Sequence, residues 1–148
     1  MDLSQLEPKA LWQHFSALNA IPRPSKKEER IIAFMLDFGQ QLGLETHKDQ
    51  IGNVIIKKPA TTGLEDRQTV ILQSHLDMVH QKNATTVFNF DQQGIEMFVD
   101  GDWVRANGTT LGADNGIGVA AIMALLASKD IAHPALEAFF TIDEETGM

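Results

Sequence analysis

The chain has no cysteine. Disulfides and thiolate metal sites are therefore excluded, and any metal must be held by His, Asp and Glu. The same absence fits a reducing, cytoplasmic location. There is no excess of positive charge either. Lys plus Arg number 12 against 20 Asp plus Glu, a formal net charge of −8. Nucleic acid and anionic membrane surfaces both call for a basic face, so neither is expected as a partner. No uninterrupted apolar run reaches the ~18 residues of a membrane span, and Met1-Asp2-Leu3-Ser4 lacks the basic start and apolar core of a signal peptide. Internal repeats, low-complexity tracts and linkers are also missing, so residues 1–148 read as a single unit. What is present is enough apolar surface, 43% of residues, for the packed core of one ordinary domain. The acidic balance suits cation binding and serves equally as a solubility device.

Periodicity gives the coarse architecture. Leu11, Trp12, Phe15 and Leu18 recur at helical spacing and predict an amphipathic helix over 6–18, stopped by Ile21-Pro22-Arg23-Pro24. Ser25 then opens a second helix, with Glu28 placed to complete a capping box. Ile31, Ile32, Met35, Leu36 and Leu42 supply its apolar stripe and Gly43 ends it. Short strands are expected over 44–47 and 53–56, around a turn at Gly52. Thr69-Val70-Ile71-Leu72-Gln73 is nearly all apolar or β-favouring, as a strand buried on both faces would be. Strands over 95–99 and 103–106 flank Asp100-Gly101, a strong hairpin signal. Residues 114–127 read as a buried helix and 136–142 as a last apolar strand. Helices come first, then strands and helices alternate, which argues for an α/β domain with a mixed sheet flanked by helices.

Three segments carry candidate chemistry, each at a strand end or a strand-to-helix turn, where ligand sites of open α/β sheets gather. The first is Ser74-His75-Leu76-Asp77. Residues two apart in an extended chain face the same side, so His75 and Asp77 can enter one site. A neutral imidazole is a good zinc ligand, and a nearby carboxylate can fix its tautomer. Alone, a His-x-Asp is more often incidental. The second is Thr109-Thr110-Leu111-Gly112-Ala113-Asp114-Asn115-Gly116-Ile117-Gly118. Its glycines allow close backbone packing, and Asp114 sits where a helix begins, which is also where an ordinary N-cap sits. A dinucleotide loop is disfavoured, because the order is Gly-x-x-x-Gly-x-Gly and an Asp would repel phosphate. The third is Asp143-Glu144-Glu145 after an apolar strand. Such a run is usually a solvated loop, but adjacent carboxylates can also divide labour, one on a metal and one free as a general base.

The order His-x-Asp, then Gly-x-Asp at a helix start, then Glu-Glu after a strand resembles the M20 family of co-catalytic zinc peptidases. Gln73-Ser74-His75-Leu76-Asp77-Met78-Val79, the Gly108 to Gly118 segment and the ending Asp143-Glu144-Glu145-Thr146-Gly147-Met148 look like its aminoacyl-histidine dipeptidase branch, also called Xaa-His dipeptidase or bacterial carnosinase. Ile21-Pro22-Arg23-Pro24-Ser25 and Gly52-Asn53 match as well, so the likeness runs along essentially the whole chain. The resemblance implies that His75 binds one zinc and Asp77 orients it, that Asp114 bridges two zincs, that Glu145 binds the other and that Glu144 is the general base. It further implies a cis bond at Asp114-Asn115, a small dipeptide substrate and a homodimer for the full-length enzyme. In such a pair, roughly 3.5–4 Å apart, a shared water is acidified and attacks the scissile carbonyl without an acyl-enzyme.

Family members also carry a further carboxylate ligand, a further His ligand and a smaller lid or dimerisation domain, none of which is in residues 1–148. The expectation is therefore the N-terminal portion of a single metallopeptidase catalytic domain, truncated before its C-terminal part. As an isolated piece it is expected to bind zinc weakly and not to turn over. Mn or Co are possible substitutes for zinc. Rival readings are a related zinc-dependent deacylase or tripeptidase, and a non-catalytic peptidase-like binding module. His80, five residues beyond His75, is a weaker candidate for substrate contact, while His14, His47 and His133 read as structural or solvent-facing, and Trp12 and Trp103 as core or hairpin packing.

Overall fold

A computed structural model describes residues 3–147; Met1, Asp2 and the Met148 end of the last motif lie outside the described residues. Among the described residues there are three α-helices: α1 (Lys9–Asn19), α2 (Glu29–Gln41) and α3 (Ala113–Ala127). The strands are β1 (Glu45–Lys48), β2 (Val54–Lys58), β3 (Val70–His75), β4 (Met97–Asp100), β5 (Trp103–Ala106) and β6 (Leu136–Thr141). Single 3₁₀ turns lie at Leu3–Gln5 and Glu144–Thr146.

The main sheet has the order β1-β2-β6-β3. β2 runs antiparallel to β1 and β6, whereas β3 runs parallel to β6. The sheet is thus mixed, as the alternation of elements predicts. Parallel pairing brings both C-terminal strand ends to one edge, and the register sets His75 opposite Thr141. The segments that follow β3 and β6 therefore leave the sheet side by side, and α3 lies on the crossover between them. The predicted hairpin forms as a separate antiparallel pair, β4 and β5.

The core is one cluster. Phe15 and Leu18 of α1, Ile31 and Met35 of α2, and Val119, Ala120, Met123 and Leu126 of α3 are buried. They pack with Val54 and Ile56 of β2 and Ala138 and Phe140 of β6. At roughly 25 cal/mol per Å² of apolar surface removed from water, such burial is the main force holding the helices on the sheet. Lys58 reaches from β2 to cap the last turn of α3, donating to the Leu125 and Ser128 carbonyls at 2.9 and 2.6 Å.

Several sequence expectations need correction. α1 starts at Lys9, after Pro8, rather than near Leu6; proline is tolerated at a helix start because the first amides have no intrahelical acceptor. Among the described residues β3 lies at the sheet edge and is not buried on both faces. Val70 and Ile71 are 41% and 66% exposed, and β6 is the one partner strand of β3 among the described residues. An apolar run cannot distinguish a central strand from an apolar edge. The capping box does not form. α2 begins at Glu29 with no side-chain cap, because Ser25 and Glu28 spend their hydrogen bonds on other segments. Nor is Asp114 an N-cap. Gly112, in the left-handed region at φ 73°, holds that position, and Asp114 and Asn115 have non-helical angles inside the first turn.

Candidate metal centre

β3 delivers His75 at its last position, and the chain stays buried through Leu76, Asp77 and Met78. The Asp77 carboxylate is fully buried and has a donor at each of four positions. Oδ2 accepts from Ser25 Oγ at 2.6 Å and from the Glu145 amide at 3.1 Å. Oδ1 accepts from the Glu144 amide at 3.1 Å and faces His75 Nδ1 at 3.2 Å. One carboxylate thus ties the end of β3 to the turn after β6. A buried carboxylate without such donors would be strongly disfavoured.

The His75 ring is 6% exposed. Its Nδ1 faces the Asp77 main-chain oxygen at 3.0 Å as well as Oδ1. Both are acceptors, so Nδ1 carries the proton in the neutral ring and Nε2 presents its lone pair. Nε2 nevertheless lies 3.1 Å from Asp114 Oδ1 and 3.8 Å from Glu144 Oε2, both acceptors too. A lone pair and carboxylate oxygens facing one another form a donor set that a cation between them would satisfy. One ligand atom each from His75, Asp114 and Glu145 lie within 4.8 Å of one another. One imidazole and two carboxylates, a nitrogen and oxygen donor set, fit a divalent ion such as zinc, manganese or cobalt. The cluster opens to solvent, since the Asp114 side chain is 87% exposed and that of Glu144 48%.

Asp114 is placed by the glycine turn. The Asp114-Asn115 peptide is cis, as the resemblance leads one to expect. Regular helix resumes with the Gly116 amide donating to the Gly112 carbonyl. A Cβ at Gly118 would collide with Asn115 Oδ1 and Ser74 Oγ, so both side chains would have to shift to admit one. The structure therefore brings His75, Asp77, Asp114, Glu144 and Glu145 to one place, from three segments far apart in the chain.

Other histidines lie outside this cluster. His80 stacks on Phe90 with ring centroids 4.3 Å apart. Burial, helped by the positive charge of Arg23, pushes it down to about 4, so it is neutral at ordinary pH. His133 is buried in a loop, where Nδ1 donates to the Pro134 carbonyl at 2.7 Å. His14 packs edge-on against Phe38, with its pKa lowered by burial, and His47 is exposed on β1.

Sequence reasoning missed the residues that support the cluster. Arg23 is 1% exposed, and its guanidinium spans the Leu76, Asp77 and Gly112 carbonyls and Asn19 Oδ1. Burial pushes it down to about 10 against the upward pull of Asp77, which leaves it charged. Glu28 accepts from the Asp143 amide at 2.9 Å, and burial raises its carboxyl to about 7. Asp143, at φ 62°, is held by the Lys26 amide and ammonium. Burial works upward on Asp143, but the Lys26 hydrogen bonds and charge outweigh it and the pKa falls. The one available signal was an arginine set between two prolines, where no helix face could accommodate it.

Over 147 residues, 99% of its length, the chain is 48% identical to the cytosol non-specific dipeptidase of Escherichia coli (strain K12). It superposes on the crystal structure of aminoacylhistidine dipeptidase from Vibrio alginolyticus with a TM-score of 0.98 at 49% identity, along its whole length. Both of these close relatives are named as dipeptidases. The chain spans 30% of the length of each of these two relatives. The aminopeptidase PepT structure from Bacillus cereus ATCC 10987 matches more distantly, with a TM-score of 0.75 and 25% identity over 94% of this chain and 37% of that one. No protein-family model matches the sequence.

Proposed function

We propose that the protein carrying this chain is a cytosolic, zinc-dependent dipeptidase that hydrolyses Xaa-His dipeptides, working as a homodimer. Residues 1–148 would then be one portion of its metallopeptidase catalytic domain. The observation that carries the reading is the His75, Asp114 and Glu145 group, closed to within 4.8 Å around an imidazole whose other nitrogen is held by buried Asp77. The names of the two similar dipeptidases support the substrate class. That of the Escherichia coli relative, which is called non-specific, favours broad dipeptide cleavage as the second reading.

His75, Asp114 and Glu145 would hold the metal. Bound there, zinc would polarise a peptide carbonyl and acidify a water. Asp77 keeps the His75 proton on Nδ1, so that Nε2 is free to act as a ligand. Glu144 follows Asp143 on the same turn, with its amide pinned by Asp77 and its half-exposed carboxylate 3.8 Å from His75 Nε2. It would take a proton from the attacking water and return it to the leaving amine. The described residues offer three ligand side chains, fewer than two closed four-coordinate sites require. The complete enzyme therefore needs ligands from elsewhere, and residues 1–148 alone should bind zinc weakly without turnover.

The test is hydrolysis of β-alanyl-histidine and other dipeptides by the intact gene product with zinc, beside Glu144→Gln. Cleavage that drops by about 10²–10⁴ in the variant, with metal retained, is expected. Full activity in Glu144→Gln would remove the general-base role. No cleavage of any dipeptide by the metal-loaded protein would remove the reading itself.

A further inference from the structure

Residues 23–28 touch all three site-bearing segments. The Arg23 carbonyl accepts from the Met78 amide at 3.1 Å, directly after the His-x-Asp stretch. Its guanidinium reaches the Leu76 carbonyl at 2.8 Å and the Asp77 carbonyl at 3.3 Å through Nη1. Through Nη2 it reaches the Gly112 carbonyl at 2.7 Å, two residues before Asp114. Ser25 Oγ binds the Asp77 carboxylate, while Lys26 and Glu28 grip Asp143.

We propose that Arg23 and Ser25 are positioning residues for the metal centre. Arg23 sets the distance between the His75 and Asp114 segments by bridging their main-chain carbonyls. Ser25 fixes the Asp77 carboxylate that orients His75 and the Glu144–Glu145 turn.

Two observations separate this from ordinary core packing. First, a buried guanidinium is a costly way to fill space. A full charge is buried, and its Nε hydrogen has no acceptor. An apolar side chain of similar volume often serves stability as well or better, so stability alone does not account for a guanidinium here. Second, the surroundings are shaped to it. A Cβ at Gly112 would lie 2.6 Å from Nη2, and one at Gly116 2.7 Å, so two glycines of the Asp114 turn make room for the guanidinium. Only a planar, forked donor can reach carbonyls on both segments at once. The ammonium of lysine is a compact point charge. Ser25 completes the set. Without its hydroxyl the Asp77 carboxylate loses one of four donors and is freer to rotate away from the Glu145 amide and the His75 ring. Outer partners of this kind typically change metal affinity or activity by about 10–100-fold.

The inference rests on the metallodipeptidase reading, and the experiment keeps the two apart. Zinc affinity, by competition with a chromophoric chelator, and dipeptide turnover are measured for the intact protein and for Ser25→Ala, Ser25→Thr and Arg23→Lys. Ser25→Ala should bind zinc about 10–100-fold more weakly and lose kcat with little change in KM. Its thermal midpoint should move only slightly, and Ser25→Thr, which keeps the hydroxyl, should recover most of the loss. Arg23→Lys should lose at least as much affinity; if it does not fold, the Ser25 pair decides. Wild-type zinc affinity in Ser25→Ala, or equal losses in the Ala and Thr variants, would overturn the proposal. A wild-type protein that binds zinc but cleaves no dipeptide would sink the functional reading and leave the zinc titration as the deciding result. A wild-type protein that binds no zinc would overturn both.

Discussion

Replacing Glu28 by Gln swaps one oxygen for a nitrogen in a side chain that is only 4% exposed, and removes an ionisable group. Its surroundings disfavour the charge. Burial is the main cause, and the carboxylates of Asp143 and Asp77 add to it, so Glu28 sits at about 7 against an ordinary value of 4.5. Between those values the folded protein holds a proton that the unfolded chain has released, so stability falls as pH rises through that window and then levels off. At 1.36 kcal/mol per unit the whole shift would be worth about 3 kcal/mol, but solvent screening and the opposite shift of neighbouring Asp143 cut the expected loss to about 1–2 kcal/mol. Gln imitates the protonated acid. Its oxygen can still accept from the Asp143 amide, and its NH₂ can face the Asp143 carboxylate as the acid proton does. Urea unfolding of both proteins should therefore give nearly equal stabilities near pH 4.5. Glu28→Gln should then lead by about 1–2 kcal/mol near pH 8. Curves that stay parallel across the window would show that Glu28 ionises normally and that the argument from burial is wrong.

Two further substitutions test how the site is built. Gly112→Ala places a Cβ 2.6 Å from both Arg23 Nη2 and Met78 Sδ on a backbone at φ +73°. It should cost about 1–3 kcal/mol of stability and also weaken zinc binding by shifting Asp114; unchanged values in a combined unfolding and zinc titration would count against the glycine turn as the placing element. Phe140→Ala removes a fully buried ring from β6. A loss of about 3–5 kcal/mol in urea unfolding is expected, and a loss below about 1 kcal/mol would mean that the core does not depend on β6 as described.

The chemistry-bearing residues were legible because they are local patterns. His75 and Asp77 share a face by strand alternation, and Glu144 and Glu145 are adjacent, so short spacing alone proposes each group. The mixed sheet and the β4–β5 hairpin were legible for the same reason, since alternation and turn residues act within a few positions. The burial of β3 differs from its apolar run because burial depends on which elements cover a strand's faces, and no run of its own residues records that. Ser25 and Glu28 were misread for a related reason. Their spacing satisfies a capping box, yet partners 52 and 115 residues away took their hydrogen bonds instead.

By itself, then, the sequence determined which side chains this protein has available for metal chemistry, and roughly which elements carry them. Only the tertiary structure decided that three segments meet, that Asp77 is the buried hub joining two of them, and that Arg23 spans the gap to the third. The physical reason is that these contacts run through main-chain carbonyls and amides. Every residue has those groups, so the sequence carries no mark of which of them will be used until the fold brings a donor within reach.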